Sequence, residues 1–166
     1  TDEKIEIIVS ASSLHDIGKI AIPDSILLKP GRLTEEEFAC MKTHTIRGDE
    51  VLDSIQGVWD EDYDKVSHEI CRYHHERYDG RGYPDGLKGE EIPISAQLVG
   101  VADVYDALVS ERVYKSAFSP DEAFEMIQGG KCGNFSPKIL DGFRKVKADF
   151  EALNRLQNKP QEQKEM

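Results

Sequence analysis

Ile94-Ser95-Ala96-Gln97-Leu98-Val99-Gly100-Val101-Ala102-Asp103-Val104-Tyr105-Asp106-Ala107-Leu108-Val109-Ser110 is apolar over most of its length. Leu98, Val101, Ala102, Tyr105 and Leu108 recur at the spacing of one helix face, which predicts a helix packed through those residues. A carboxylate at Asp103 is costly to bury unless it is paired or bound to a metal. Asp106 lies one turn on, at i+3, so the two acids share a face.

The segments on either side are helical in the same way. Upstream, Ile5, Ile8, Val9 and Ser12 trace a first helix expected to run into His15-Asp16. Thr34 with Glu37 forms a capping box, and Phe38, Met41, Thr45, Gly48, Leu52 and Ile55 continue from it as one apolar stripe. A further helix is expected over about 62–78, with Val66, Ile70 and Tyr73 apolar. Asp79-Gly80-Arg81-Gly82-Tyr83-Pro84-Asp85-Gly86 is dense in turn formers and reads as a loop. Downstream, Ser119-Pro120 and Ser136-Pro137 each put an N-cap serine before a first-turn proline. Ile139, Leu140, Phe143, Val146, Phe150 and Leu153 stripe a last helix. Neither strand alternation nor an internal repeat is evident. The expected class is all-α, a helical bundle of about six to seven helices, with a domain over 1–156 and a polar tail over 157–166.

The 166 residues suit one domain, large enough to fold without a disulfide or structural metal. Lys and Arg number 21 against 32 Asp and Glu, a net charge of -11. That balance argues against a nucleic-acid polymer or an anionic membrane surface as partner, because clustered basic residues provide most of that attraction. An anionic substrate stays open, since bound cations reverse a local field. No apolar run is long enough to span a membrane, and the start lacks a signal-peptide pattern. Cys40, Cys71 and Cys132 are odd in number and widely spaced, which suggests reduced thiols and a cytoplasmic location. The chain begins without Met, so it is expected to be a piece of a longer protein.

His15-Asp16, His44, His74-His75 and Asp103 place imidazoles and carboxylates on helices or at helix ends. Several inward residues from different helices are a common way to hold divalent cations. Singly each signal is weak. A lone His44 is more often a hydrogen-bonded packing residue. His68 is expected to be solvated and is assigned nothing. Arg112 and Lys115 alone would read as a solvated basic patch, and Gly80, Gly82 and Gly86 as tight turns with Tyr83 tucked against the bundle.

In order along the chain the patches become specific. His15-Asp16-Ile17-Gly18-Lys19, then His44, then His74-His75-Glu76-Arg77-Tyr78-Asp79-Gly80-Arg81-Gly82-Tyr83-Pro84, then Val101-Ala102-Asp103, resembles the HD-GYP family of the HD phosphohydrolase superfamily. The likeness extends through Ile22-Pro23, Leu28-Lys29-Pro30-Gly31, Asp106-Ala107-Leu108 and Arg112-Val113-Tyr114-Lys115, covering roughly 14–145.

The resemblance implies an HD-type bundle that hydrolyses cyclic di-GMP to the linear dinucleotide, GMP or both. It also implies two or three divalent metal ions, commonly iron or manganese. By motif match His15 and Asp16 are metal ligands, with Asp16 bridging and central to catalysis. His44 and His74 complete one metal, Asp103 serves the other, and His75 a third. Lys19 approaches the phosphate; Tyr83, Asp106, Arg112 and Lys115 line the substrate side. Such a centre suits phosphodiester cleavage, because paired cations lower the pKa of water and neutralise phosphoryl charge, while lysine and arginine add donors.

Two departures from the family stand out. Its members also draw a histidine, and some a glutamate, from a helix about thirty residues before the His-Asp pair. Fourteen residues precede His15 here and none is histidine. Absence of that helix is expected to expose apolar surface and favour a homodimer. Val113 stands where the family frequently has proline. The family suggests an N-terminal sensory or receiver domain as partner, and in some members GGDEF-type cyclase domains. The alternatives are another HD-type nucleotide phosphohydrolase, or a non-catalytic cyclic di-GMP sensing or interaction module.

Overall fold

The computed structural model describes residues 1–55, 57–111 and 116–157, the side chains of 156 and 157 excepted. Arg112, Lys115 and the tail from 158 onward lie outside the described residues. Among the described residues nine α-helical segments follow one another: α1 (Asp2–Ser12), α2 (Asp24–Leu27), α3 (Glu35–Lys42), α4 (His44–Asp53), α5 (Glu61–Tyr73), α6 (Ile94–Val109), α7 (Pro120–Gln128), α8 (Pro137–Lys145) and α9 (Lys147–Gln157). Short 3-10 turns occupy Ile17–Ala21 and Gly89–Glu91. Among the described residues there is no strand, only isolated bridges such as Asp79 with Lys88. The all-α expectation holds.

The helix starts follow the sequence signals. The Thr34 hydroxyl accepts from the Glu37 N–H while the Glu37 carboxylate takes the Thr34 N–H, and Ser119 with Glu122 repeats the pattern. Ser136 caps α8 through the Ile139 N–H, with Pro137 behind it. Helix ends were less legible. The first helix stops at Ser12, so His15 and Asp16 sit in the turn beyond it. The long stripe from Phe38 to Ile55 breaks at Thr43 into α3 and α4, and the last stripe breaks at Val146 into α8 and α9. Helix α5 ends at Tyr73, and His74 caps it with its N–H still bonded to the Ile70 carbonyl, so His75 stands just beyond the helix end.

Two apolar clusters hold the bundle. The larger joins Val101, Tyr105 and Leu108 of α6 to Ala123, Phe124 and Ile127 of α7 and to Ile139 and Phe143 of α8. Phe124 stacks on Phe143 with ring centroids 4.2 Å apart. Each such side chain contributes about 1.5–3 kcal/mol by leaving water, so this end anchors the fold. The smaller cluster packs Ala11 of α1, Ile70 of α5 and Val99 of α6 together. Only one face of α6 is core. Leu98 is 42% exposed and Ala102 is also exposed, against expectation, because both turn toward a groove beside α1. Ile5 and Val9 of α1 are exposed along the same side.

The turn after Asp16 meets α4 backbone to backbone. A methyl group on Gly18 would lie 1.9 Å from the His44 carbonyl oxygen and 2.3 Å from the Gly48 nitrogen. One on Gly100 of α6 would lie 2.4 Å from the His74 carbonyl oxygen. Neither neighbour is a flexible side chain that could swing away. Gly18→Ala is therefore expected to destabilise the chain by about 1–3 kcal/mol through overpacking. The measurement is a lower urea midpoint at unchanged slope; a midpoint equal to wild type would contradict it.

Candidate metal centre

His15, His44 and His74 share one local device. His15 Nδ1 lies 2.7 Å from the Ser12 carbonyl oxygen, His44 Nδ1 2.8 Å from that of Met41, and His74 Nδ1 2.9 Å from that of Ile70. A carbonyl only accepts, so Nδ1 carries a proton in each ring, and Nε2 presents its lone pair whenever that ring is neutral. The acceptors belong to the last turns of α1, α3 and α5, where carbonyls lack partners within the helix. Each imidazole thus finishes a helix end and is aimed by doing so.

The lone pairs converge. Ligand atoms of His15, Asp16 and His74 lie within 4.8 Å of one another, and so do those of His44, His74 and His75. His44 Nε2 is 3.4 Å from Asp16 Oδ1, and His15 Nε2 is 3.2 Å from Asp16 Oδ2. Asp103 reaches the edge of the cluster, its Oδ1 3.9 Å from His15 Nε2. Asp16 Oδ1, His44 Nε2 and His74 Nε2 are buried with no hydrogen-bond partner. Three orphaned, convergent lone-pair atoms of borderline-to-hard character fit a divalent cation.

Burial and charge set the protonation. Burial pulls the His74 pKa down to about 3, with charge on His15 adding to it. His44 and His75 are lowered for the same first reason. His15 is raised, because its bond to Asp16 outweighs burial. Burial pushes the Asp16 carboxyl up, yet His15 and Lys19 together hold it well below the usual carboxylate range. Desolvation raises Asp103. Lys19, expected near a phosphate, forms an ion pair with Asp16 Oδ2. Lys19, Asp103 and Asp106 all border the 540 Å³ groove between α1 and α6.

The Gly-Tyr-Pro loop packs against the cluster through Tyr83. The Tyr83 ring stacks on His75, centroids 4.7 Å apart at 27°. Tyr83 is half-buried against the cluster. The loop is fastened by Glu76, a residue the sequence reading left without a role. Its side chain is buried, and Oε1 accepts from the Asp85 and Gly86 N–H groups at 2.7 and 2.9 Å. Arg72 grips Asp85 with Nε and Nη2 at 2.9 and 3.1 Å and donates from Nη1 to Asp49 at 2.8 Å. Asp49 also meets His68 Nδ1 at 2.7 Å, so His68 is a half-buried member of this network and not solvated. A carboxylate straight after two candidate ligands and before a glycine-rich loop was the available signal for Glu76.

An all-helical domain with a His-Asp pair at its centre, joined by imidazoles from two further segments, defines the class of histidine–aspartate metal-binding domains. Residues 1–139 match the family described as HD domain. The chain belongs to that family, whose members bind divalent metals, and the Gly80–Pro84 loop fits its HD-GYP branch. It is 46% identical over 92% of its length to the "Cyclic di-GMP phosphodiesterase response regulator RpfG" of Xanthomonas campestris pv. campestris. It is 45% identical over 92% to a "Cyclic di-GMP phosphodiesterase" of Vibrio cholerae, and 47% identical over 84% to one of Thermotoga maritima. The matches span 39%, 31% and 37% of those longer proteins. No helix among the described residues is long and apolar enough to cross a membrane.

Two outcomes are expected. Because His15 is raised above its ordinary value, a cation must displace a proton from it near neutral pH. The lowered His44 and His74 are already neutral there. Mn(II) affinity should therefore rise with pH between about 6 and 8, with proton release on binding. Calorimetry in buffers of different ionisation enthalpy checks this; a pH-independent affinity would contradict it. Glu76→Ala strands two loop N–H groups, at about 1–3 kcal/mol for each left unpaired. Faster hydrogen exchange at Asp85 and Gly86 is the sign to look for.

Proposed function

We propose that this domain is a metal-dependent phosphodiesterase that hydrolyses cyclic di-GMP to the linear dinucleotide, GMP or both. The observation that carries the reading is the trio of buried, unpartnered atoms, Asp16 Oδ1, His44 Nε2 and His74 Nε2, facing one another. The names of relatives at 45–47% identity supply the substrate.

His15, Asp16, His44, His74, His75 and Asp103 would hold two or three divalent cations, iron or manganese by family resemblance. Bound there, such cations supply Lewis-acid neutralisation of phosphoryl charge and lower the pKa of water. The chain's own residues do the rest. Carbonyl bonds at Ser12, Met41 and Ile70 fix the three rings, so no ring reorients when substrate arrives. Tyr83 covers His75 and keeps bulk water from that face. Lys19, at the groove edge, is placed to exchange its Asp16 contact for a non-bridging phosphate oxygen. Asp106 borders the same groove and suits a ribose hydroxyl or base donor. Arg112 and Lys115, outside the described residues, are proposed to follow the substrate side by motif alone.

We further read residues 1–156 as the catalytic unit of a longer cytoplasmic signalling protein carrying a sensory or receiver domain. The length of the relatives supports this. The test is chromatographic detection of product from cyclic di-GMP by the chain loaded anaerobically with Mn(II) or Fe(II). Product is expected with wild type and none with Asp16→Ala, whose metal content should also fall. No product from wild type, or undiminished turnover in Asp16→Ala, would overturn the assignment.

A further inference from the structure

Beside the metal cluster, where Tyr83 covers His75, lies a second feature that neither the motif nor the mechanism uses. Phe38 and Lys42 stand one turn apart on α3, on the face that looks across at Tyr83. The sequence stripe placed Phe38 toward the core, yet its side chain is 48% exposed. Its ring meets Tyr83 edge to face, centroids 6.4 Å apart at 83°, while Tyr83 itself stacks on His75. A continuous aromatic path therefore leads from a candidate ligand to the surface in two ring-to-ring steps of 4.7 and 6.4 Å.

Lys42 marks the end of that path. Its Nζ lies 5.4 Å from the Phe38 centroid and 5.9 Å from that of Tyr83. Among the described residues, the other half-buried lysines, Lys19, Lys29 and Lys147, each pair with a carboxylate. Lys42 is the half-buried lysine without one, in a chain whose acids outnumber its bases 32 to 21. Two rings hold the ammonium by cation–π attraction, and among the described residues no carboxylate pairs with it. A chain this acidic does not lack carboxylates to place there. An ammonium held ready beside an exposed aromatic face is what a ligand combining a flat ring with a negative charge requires.

We propose that Phe38 and Lys42 form a docking shelf for the half of the dinucleotide that is not being cleaved. A purine stacks on the open side of the Phe38 ring, and Lys42 takes a non-bridging oxygen of the second phosphate. This rests on the phosphodiesterase reading above and adds to it a way of telling a cyclic dinucleotide from a simpler phosphate ester. The scissile phosphate is recognised at the cations. The shelf recognises that a second nucleotide is attached.

The experiment measures KM for cyclic di-GMP with the Mn(II)-loaded chain as wild type, Phe38→Ala, Lys42→Met, Phe38→Trp and Lys42→Arg. Metal content and circular dichroism are recorded for each. The expected result is a KM raised about tenfold in Phe38→Ala and in Lys42→Met, the loss of one stacking or charge contact. Phe38→Trp and Lys42→Arg should stay close to wild type, because each restores the ring or the charge. KM within about twofold of wild type in both truncations, while wild type makes product, overturns the shelf and leaves the phosphodiesterase standing. Lost metal or lost helicity in the truncations, not rescued by the conservative variants, also overturns it, since the residues would then be structural. A wild-type chain that makes no product overturns the phosphodiesterase reading, and the shelf with it.

Discussion

At Gly18 the turn that carries His15 and Asp16 lies so close to the first turn of α4 that a methyl group would overlap the His44 carbonyl oxygen. At Gly100 the same happens between α6 and the His74 carbonyl. Imidazole and carboxylate side chains are short, so ligands from separate segments can share a cation only if their backbones approach closely. Glycine is the residue that permits such an approach. Gly48 extends the seam from the α4 side, where a side chain would strike Cys71 Sγ at 2.3 Å. The apolar clusters supply the stability, but these contacts set where the candidate ligands stand.

Much of this was legible beforehand, for reasons that can be stated residue by residue. The capping box at Thr34–Glu37 and the serine–proline starts at Ser119 and Ser136 depend on groups within one turn, so they survive reading from sequence alone. The candidate ligand segments stand out in the sequence because their residue types recur in a recognisable order, and the structure brings His15, Asp16, His44, His74 and His75 together. The breaks at Thr43 and Val146 were not found, because apolar periodicity continues across a short kink and carries no record of it. Phe38, Leu98 and Ala102 were misplaced for a related reason. A stripe identifies a face that can be buried, and only the packing partner decides whether it is. His68 shows the limit for polar groups: its partner, Asp49, lies nineteen positions away on another helix.

The Gly-Tyr-Pro loop illustrates how polar contacts hold a segment that apolar packing would not. Glu76 accepts from two of its N–H groups, Arg72 binds its Asp85 in two places, and Asp49 ties Arg72 to α4. A glycine-rich loop has much conformational freedom to lose on ordering. Charge-assisted, bidentate contacts offset that cost more effectively than isolated neutral ones. The result is a Tyr83 ring fixed over His75 by a network that touches neither ring directly.

The three imidazoles that finish α1, α3 and α5 have an electrostatic consequence. A helix carries a macrodipole equivalent to about half a negative charge at its C-terminal end. Three such ends meet beside Asp16 and Asp103, in a chain of net charge -11. The field at the centre therefore favours cations and opposes a phosphate. A cation held there would invert that sign and turn the same centre toward an anion.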